Sequence, residues 1–231
     1  MTTLAEALAL LQAQARPDQL AKMAGFAMHG DTRLGVSVPA LRTLGKRIGR
    51  DHGLAQALWD TSMPDAQILA SLVADPTAFG VRQMNAWTRG MQAWDVCDQA
   101  CGNAFLGSPH AWGRVHAWAG AREEYVRRAA FALLATLAVH DRGAADKAFI
   151  ETLPLIEAAA DDDRNFVKKA VNWALRNIGK RNAALNAQAI ACAKRLRERD
   201  SRAARWIATD ALRELQGDAV QARLSRTHAG R

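Results

Sequence analysis

The chain has 231 residues and a mass of 25.1 kDa, room for one large domain or two small ones with a core that needs no external staples. Alanine supplies 49 residues and proline only 6, while β-branched residues are sparse, which excludes a β-sandwich or a parallel-sheet enzyme and favours helices throughout. Thirty-one Lys and Arg against 23 Asp and Glu give a net charge of +8 and a pI near 10.0, which points to an anionic partner without naming it.

Hydrophobic periodicity, punctuated by Ser, Thr, Asp and Pro, predicts helices over 2–15, 17–28, 38–50, 53–60, 64–74, 79–91, 94–105, 108–119, 122–140, 144–160, 163–179, 183–199 and 201–216. The first apolar stretch is broken by Glu6 and lacks a basic leader, so it reads as a helix rather than a signal peptide. Residues 29–37 form the longest early break. Cys97 and Cys101, spaced for one helix face, and Cys192 make no disulfide framework. Neither His110 nor His116 shares their element, so the thiols read as core and no metal or organic cofactor is expected. No run approaches the roughly 18 apolar residues of a membrane span. A soluble, cytoplasmic protein without membrane contact is expected. The helices are assigned to a single domain over 1–217, and the polar segment 218–231 to a frayed tail.

The charge is uneven. Residues 1–121 carry ten Lys and Arg and nine Asp and Glu; residues 122–231 carry 21 and 14, so a polyanion should meet the second half. That half also repeats itself. Tyr125-Val-Arg-Arg-Ala-Ala, Phe166-Val-Lys-Lys-Ala-Val and Arg202-Ala-Ala-Arg-Trp-Ile each set basic residues before small and apolar ones, with 41 residues from Val126 to Val167 and 37 from Val167 to Ala204. A period near 40 built of two helices predicts an all-α, HEAT-like helical-repeat solenoid. The alanines then serve close helix contacts between layers. Arg127, Arg128, Lys168 and Lys169, with Arg202 and Arg205, would fall along one concave basic groove. The same residues also suit an ion-pair ladder between repeats, and both roles stay open.

Four blocks, Leu34-Gly-Val-Ser-Val-Pro39, Ala93-Trp-Asp-Val-Cys-Asp98, Val126-Arg-Arg-Ala-Ala130 and Val167-Lys-Lys-Ala-Val-Asn-Trp-Ala-Leu-Arg176, occur in this order on the helical-repeat background. In them the chain resembles the AlkD-like DNA alkylation repair glycosylases, from Met23 to about Leu215. The resemblance implies a right-handed superhelix that holds double-stranded DNA in its groove as a monomer, needing no protein partner. It implies hydrolysis of the N-glycosidic bond of cationic alkylpurines, of the 3-methyladenine or 7-methylguanine type, without base flipping. By the same resemblance, Trp94 and Asp98 match the family's Trp and catalytic Asp, Arg128 the Arg that completes the site, Trp173 a second Trp, and Arg176 a basic residue facing DNA. Phe26 stands where members can have a Tyr that approaches the DNA backbone, so a hydroxyl is missing here. Ala93 stands where a second Trp can precede Trp94.

The residue types suit that chemistry. Trp94 and Asp98, four apart, project from one helix face. Departure of the base develops oxocarbenium character on the sugar, which a carboxylate stabilises while orienting water. Indoles stack on cations, Arg128 suits a phosphate beside the lesion, and a base that is already cationic leaves without a general acid. Asp95 reads as a bystander that caps the helix or pairs with a neighbouring layer. Lys168, Lys169, Arg127, Arg176, Lys180 and Arg181 read as phosphate contacts. Two other readings remain: a non-catalytic solenoid that recognises distorted or branched DNA, and a protein-binding scaffold.

Overall fold

The computed structural model describes residues 2–229, with side chains described through 226. The described residues are helical with no strand, and they form two compact units, Met1–Ala111 and Trp112–Arg231, where the sequence reading has one domain. The first unit carries nine Lys and Arg against nine Asp and Glu, the second 22 against 14, so the whole net charge belongs to the second.

The first unit contains α1 (Leu4–Gln12), α2 (Pro17–Gly25), α3 (Val38–Ile48), α4 (His52–Asp60), α5 (Pro64–Val73), α6 (Val81–Arg89) and α7 (Trp94–Gln99). Thr3, Ser37 and Asp51 cap α1, α3 and α4 by accepting from free first-turn amides. Helix α5 is apolar around most of its circumference and packs against α3, α4 and α7 as the central helix of the unit. Trp59 and Trp87 stack at 4.0 Å between centroids, and Phe79 meets Trp87 edge-on at 4.8 Å, so both indoles are core as expected. The stretch 94–105 is not one uniform helix. After α7 the chain widens into a π-helical segment, Ala100–Phe105, in which Leu106 N–H donates to the Cys101 carbonyl five residues back.

Two buried carboxylates fix the 29–37 connection. Asp65, 1% exposed, accepts from the Leu34 and Val36 amides at 2.8 Å each. Asp95 binds Arg33 in a two-pronged pair at 2.8 and 3.0 Å, with side chains 10% and 3% exposed. Gly35 is required in this connection. Its φ is +81° and a Cβ there would lie 2.4 Å from the Arg16 carbonyl oxygen.

The short helix α8 (Ala111–Trp118) follows, and then α9 (Glu124–His140), α10 (Asp146–Ile150), α11 (Leu153–Ala159), α12 (Asn165–Gly179), α13 (Ala183–Arg197), α14 (Arg202–Leu215) and α15 (Asp218–Ala229). The predicted helix 144–160 is two. Pro154 lacks the N–H that would continue the first into the second, so the chain breaks at Glu151-Thr152 and restarts. The assignment of 218–231 to a frayed tail is corrected over Asp218–Ala229, which is helical. Val220 and Leu224 lie one turn apart and are buried, and α15 packs on α13 and α14. Gly230 and Arg231, the remainder of that segment, lie outside the described residues.

Helix α12 packs between α9 and α14. The contact faces are small: Ala129, Ala130, Ala132 and Ala135 on α9, Ala170 and Ala174 on α12, and Ala204, Ala208 and Ala211 on α14 are all buried. At Gly179 even a methyl is too much, since a Cβ would sit 2.7 Å from Leu215 Cδ2 and 2.9 Å from the Ala189 Cβ. Polar bonds then join each layer to the next at a separation of one repeat: Arg128 to the Phe166 carbonyl and Asn172 to Asp210, both 38 residues apart, and Asn177 to the Ala135 carbonyl, 42 apart.

Candidate nucleic-acid interface

In the first unit the expected site residues are carried by α7. Ala93 enters in an extended conformation, φ −142° and ψ 145°, so Trp94 is the first helical residue. Val96 and Cys97 turn into the core, which sets the rotation of the helix. Asp95 then points inward to Arg33, while Trp94 and Asp98 share the half-buried face. The two carboxylates of Trp-Asp-Val-Cys-Asp thus have separate fates. The Trp94 indole N–H donates at 2.9 Å to the carbonyl of Phe26, which fixes the ring plane. Phe26 is itself 62% exposed, at the C-terminal cap of α2 and just before Ala27, whose φ is +55°. Trp94, Asp98 and Phe26 therefore belong to one local assembly, with no buried residue in α2 behind Phe26.

In the second unit the expected residues lie on α9 and α12. Arg128 is only 5% exposed and donates at 2.6 Å to the Phe166 carbonyl. Its neighbour Arg127 donates to the Ala119 carbonyl and pairs with Asp162, both at 3.0 Å. Burial works to raise the Asp162 carboxyl, but Arg164 at 2.6 Å and Arg127 outweigh it and hold the group below the usual range. On α12, Lys169, Trp173, Arg176 and Lys180 recur every three or four residues and so share a face. Trp173 is half-buried and Lys169 exposed. Lys168 lies over the Trp206 ring at 5.1 Å, and Trp206 is 40% exposed rather than core.

The structure commits several of the expected phosphate contacts to partners inside the unit. Arg176 pairs with Glu214 at 2.6 Å and with Asp210 at 3.4 Å; Lys180 meets Glu214 at 2.8 Å. Desolvation raises the Glu214 carboxyl, yet Lys180 and Arg176 together leave it below its ordinary value. Arg181 donates to the Ala138 carbonyl at 2.7 Å and lies over Phe149 at 4.2 Å. Of the two roles open from sequence, the ladder accounts for Arg127, Arg176 and Lys180. Sequence reasoning missed the acidic half of that ladder. Its signal is an acid 38 residues after its base, as in Arg176 and Glu214.

All three cysteines are buried, and the described residues contain no His, Cys, Asp and Glu group able to hold a metal. Among them no helix is long and apolar enough to cross a membrane.

Comparison with known proteins agrees with this architecture. Among curated proteins no relative matches the chain. A solved structure described as "a new family of proteins related to the HEAT-like repeat DNA glycosylases with affinity for branched DNA structures" is similar over 91% of this chain and 94% of its own, at 19% identity and a TM-score of 0.74. That likeness shows the HEAT-like repeat fold. A designed armadillo repeat protein in complex with a (KR)4 peptide aligns over 97% of this chain and 88% of its own at 15% identity, with a TM-score of 0.36. The model of the DNA alkylation repair enzyme family matches residues 7–215, and the chain belongs to that family.

Proposed function

We propose that the protein is a DNA N-glycosylase that binds double-stranded DNA and hydrolyses the N-glycosidic bond of cationic alkylated purines, without base flipping. One observation carries the reading: Asp98 is half-buried on the face of α7 that bears the Trp94 ring, itself fixed by its indole bond. A carboxylate so placed stabilises positive charge developing on the deoxyribose and orients the attacking water. The indole stacks on the cationic species. The departing base is neutral once it has taken the bond electrons, so no general acid, metal or organic cofactor is needed. Family correspondence assigns Arg128 and Trp173 to the same reaction, and Phe26 and Arg176 to the DNA-facing surface; Arg127, Lys168, Lys169, Lys180 and Arg181 join the basic DNA-binding groove as phosphate contacts. Lys168, Lys169 and Arg181 are the best suited of these to phosphate, since ladder carboxylates compete for Arg127, Arg176 and Lys180. The protein acts as a monomer in the cytoplasm in this reading.

A second reading is favoured by the burial of Arg128, whose guanidinium bonds the Phe166 carbonyl instead of lying open to a phosphate. In it the chain binds distorted or branched DNA without catalysis, as the similar solved protein's affinity for branched DNA suggests. Base release from methylated duplex, measured beside DNA affinity, separates the two. The enzyme reading expects release by the wild type and a loss of about 100- to 1,000-fold in Asp98→Asn with affinity retained. Salt-dependent binding with no release by either protein establishes the second reading and sinks the first.

A further inference from the structure

Beyond Lys180 and Arg181, already placed in the proposed groove, the second unit has a cleft of about 910 Å³ where the C-terminal ends of α9 and α12 meet the start of α13 and part of α15. Arg142, Lys180, Arg181 and Arg223 line it, against the single carboxylate of Asp146. That carboxylate is committed to the Asn182 amide at 2.9 and 3.1 Å. Lys180 is matched by Glu214, outside the lining. Three guanidiniums then face the cleft with one acid between them.

Arg181 is the fixed element. Its plane lies on Phe149, Nη1 donates to the Ala138 carbonyl and Nη2 to that of Ala144 at 3.5 Å, and Nε is buried with no hydrogen-bond partner. Both carbonyl acceptors are neutral, so they hold the group in place without cancelling its charge. A stacked, pre-oriented guanidinium loses little freedom on meeting a tetrahedral oxyanion. The free amides at the start of α13, a 15-residue helix, add partial positive charge on the same lining through Asn182 and Ala183. Arg142 and Arg223 are exposed at the rim, and Arg223 donates to the Lys180 carbonyl at 2.5 Å, a second neutral acceptor that holds a guanidinium at the cleft.

We propose that this cleft is a phosphate site and that DNA backbone fills it. Spacing along α12 supports the source. Lys169 and Lys180 share a face and are 11 residues apart, about 16 Å at 1.5 Å per residue. At 3.4 Å per base pair that spans about five base pairs, so a duplex following α12 brings phosphates to both ends. The source of the phosphate rests on the DNA-binding reading above; the site itself does not.

The test has two arms on the full chain. The first follows the Arg181 Nε–H resonance during titration with inorganic phosphate. A saturable shift, weakened in Arg142→Gln/Arg223→Gln, is expected; no shift in the wild type overturns the site. The second measures the salt dependence of duplex binding by fluorescence anisotropy. The slope of log K against log salt should become shallower by about 0.9 in Arg142→Gln and by about twice that in the double variant. Arg142→Gln alters one exposed side chain, so it controls for any disturbance of α15 by the change at Arg223. A phosphate shift with unchanged slopes overturns DNA as the source and assigns the cleft to free phosphate or a mononucleotide. Should the wild type bind no DNA at low salt, the DNA-binding reading fails, and the Arg181 resonance still decides the cleft.

Discussion

Replacing Asp95 by alanine removes one side of an ion pair that is nearly closed to solvent. The two nitrogen–oxygen contacts are 2.8 and 3.0 Å, with the Arg33 side chain 3% and that of Asp95 10% exposed. At an effective dielectric of about 20, two unit charges 2.8 Å apart attract by about 6 kcal/mol. Desolvating both groups consumes much of that, so the intact pair is worth far less than the attraction. Breaking it is a different matter: Arg33 keeps its burial and loses its partner, while its Nε already lacks one. The expected cost is about 3–5 kcal/mol, against near neutrality when Arg33→Met and Asp95→Leu are combined. Urea denaturation of wild type, Arg33→Met, Asp95→Leu and their double variant in a double-mutant cycle gives the coupling, with Asp95→Ala measured beside them. Hydrogen exchange at 29–37 should rise first, because the pair pins that connection to α7. A loss below about 1 kcal/mol in Asp95→Ala, or a double variant no better than the single, would refute the structural assignment of Asp95.

Three further outcomes follow from the geometry. Gly179→Ala places a methyl against Leu215 and Ala189 and should lower the stability of the second unit by about 1–3 kcal/mol, read from its urea midpoint. Glu214 titrates below its ordinary 4.5, so its contribution is fully present above that value and is lost as pH falls through the folded-state pKa. The wild type should therefore lose stability more steeply below pH 4.5 than Glu214→Gln, and parallel acid titrations by circular dichroism would contradict this. Burial and the nearby Glu157 push the Cys192 thiol up to about 12, so iodoacetamide at pH 8 should label it only after unfolding. Rapid labelling of the folded protein, located by peptide mass, would count against the packing of α13.

Most helices could be read from the sequence because their apolar positions recur with the helical period, and the alanine-rich faces announced close layers. The exceptions have local causes. Pro154 divides a segment whose periodicity runs on through it, and α15 hides a two-residue apolar stripe, Val220 and Leu224, among polar neighbours. The site was legible only in part. Spacing put Trp94 and Asp98 on one face, but nothing local distinguished Asp98 from Asp95, since the arginine that claims Asp95 lies 62 residues earlier. The basic pairs were equally ambiguous. Arg127 and Arg176 carry the composition of a phosphate track, and their carboxylates come from the next layer, about one repeat along the chain. Trp206 looked like core on an alanine-rich helix and instead stands at the surface under Lys168.

The allocation of charge has a consequence for encounter rates. The unit that carries Trp94 and Asp98 has equal numbers of acidic and basic side chains, and the other holds the whole excess. Long-range attraction to a polyanion therefore acts on one end of the polypeptide and turns that end toward it before any contact forms. In the proposed function, diffusional capture by the charged unit is thereby separated from the Asp98 chemistry carried by the neutral one. Added electrolyte throttles the first through screening and has far less purchase on the second.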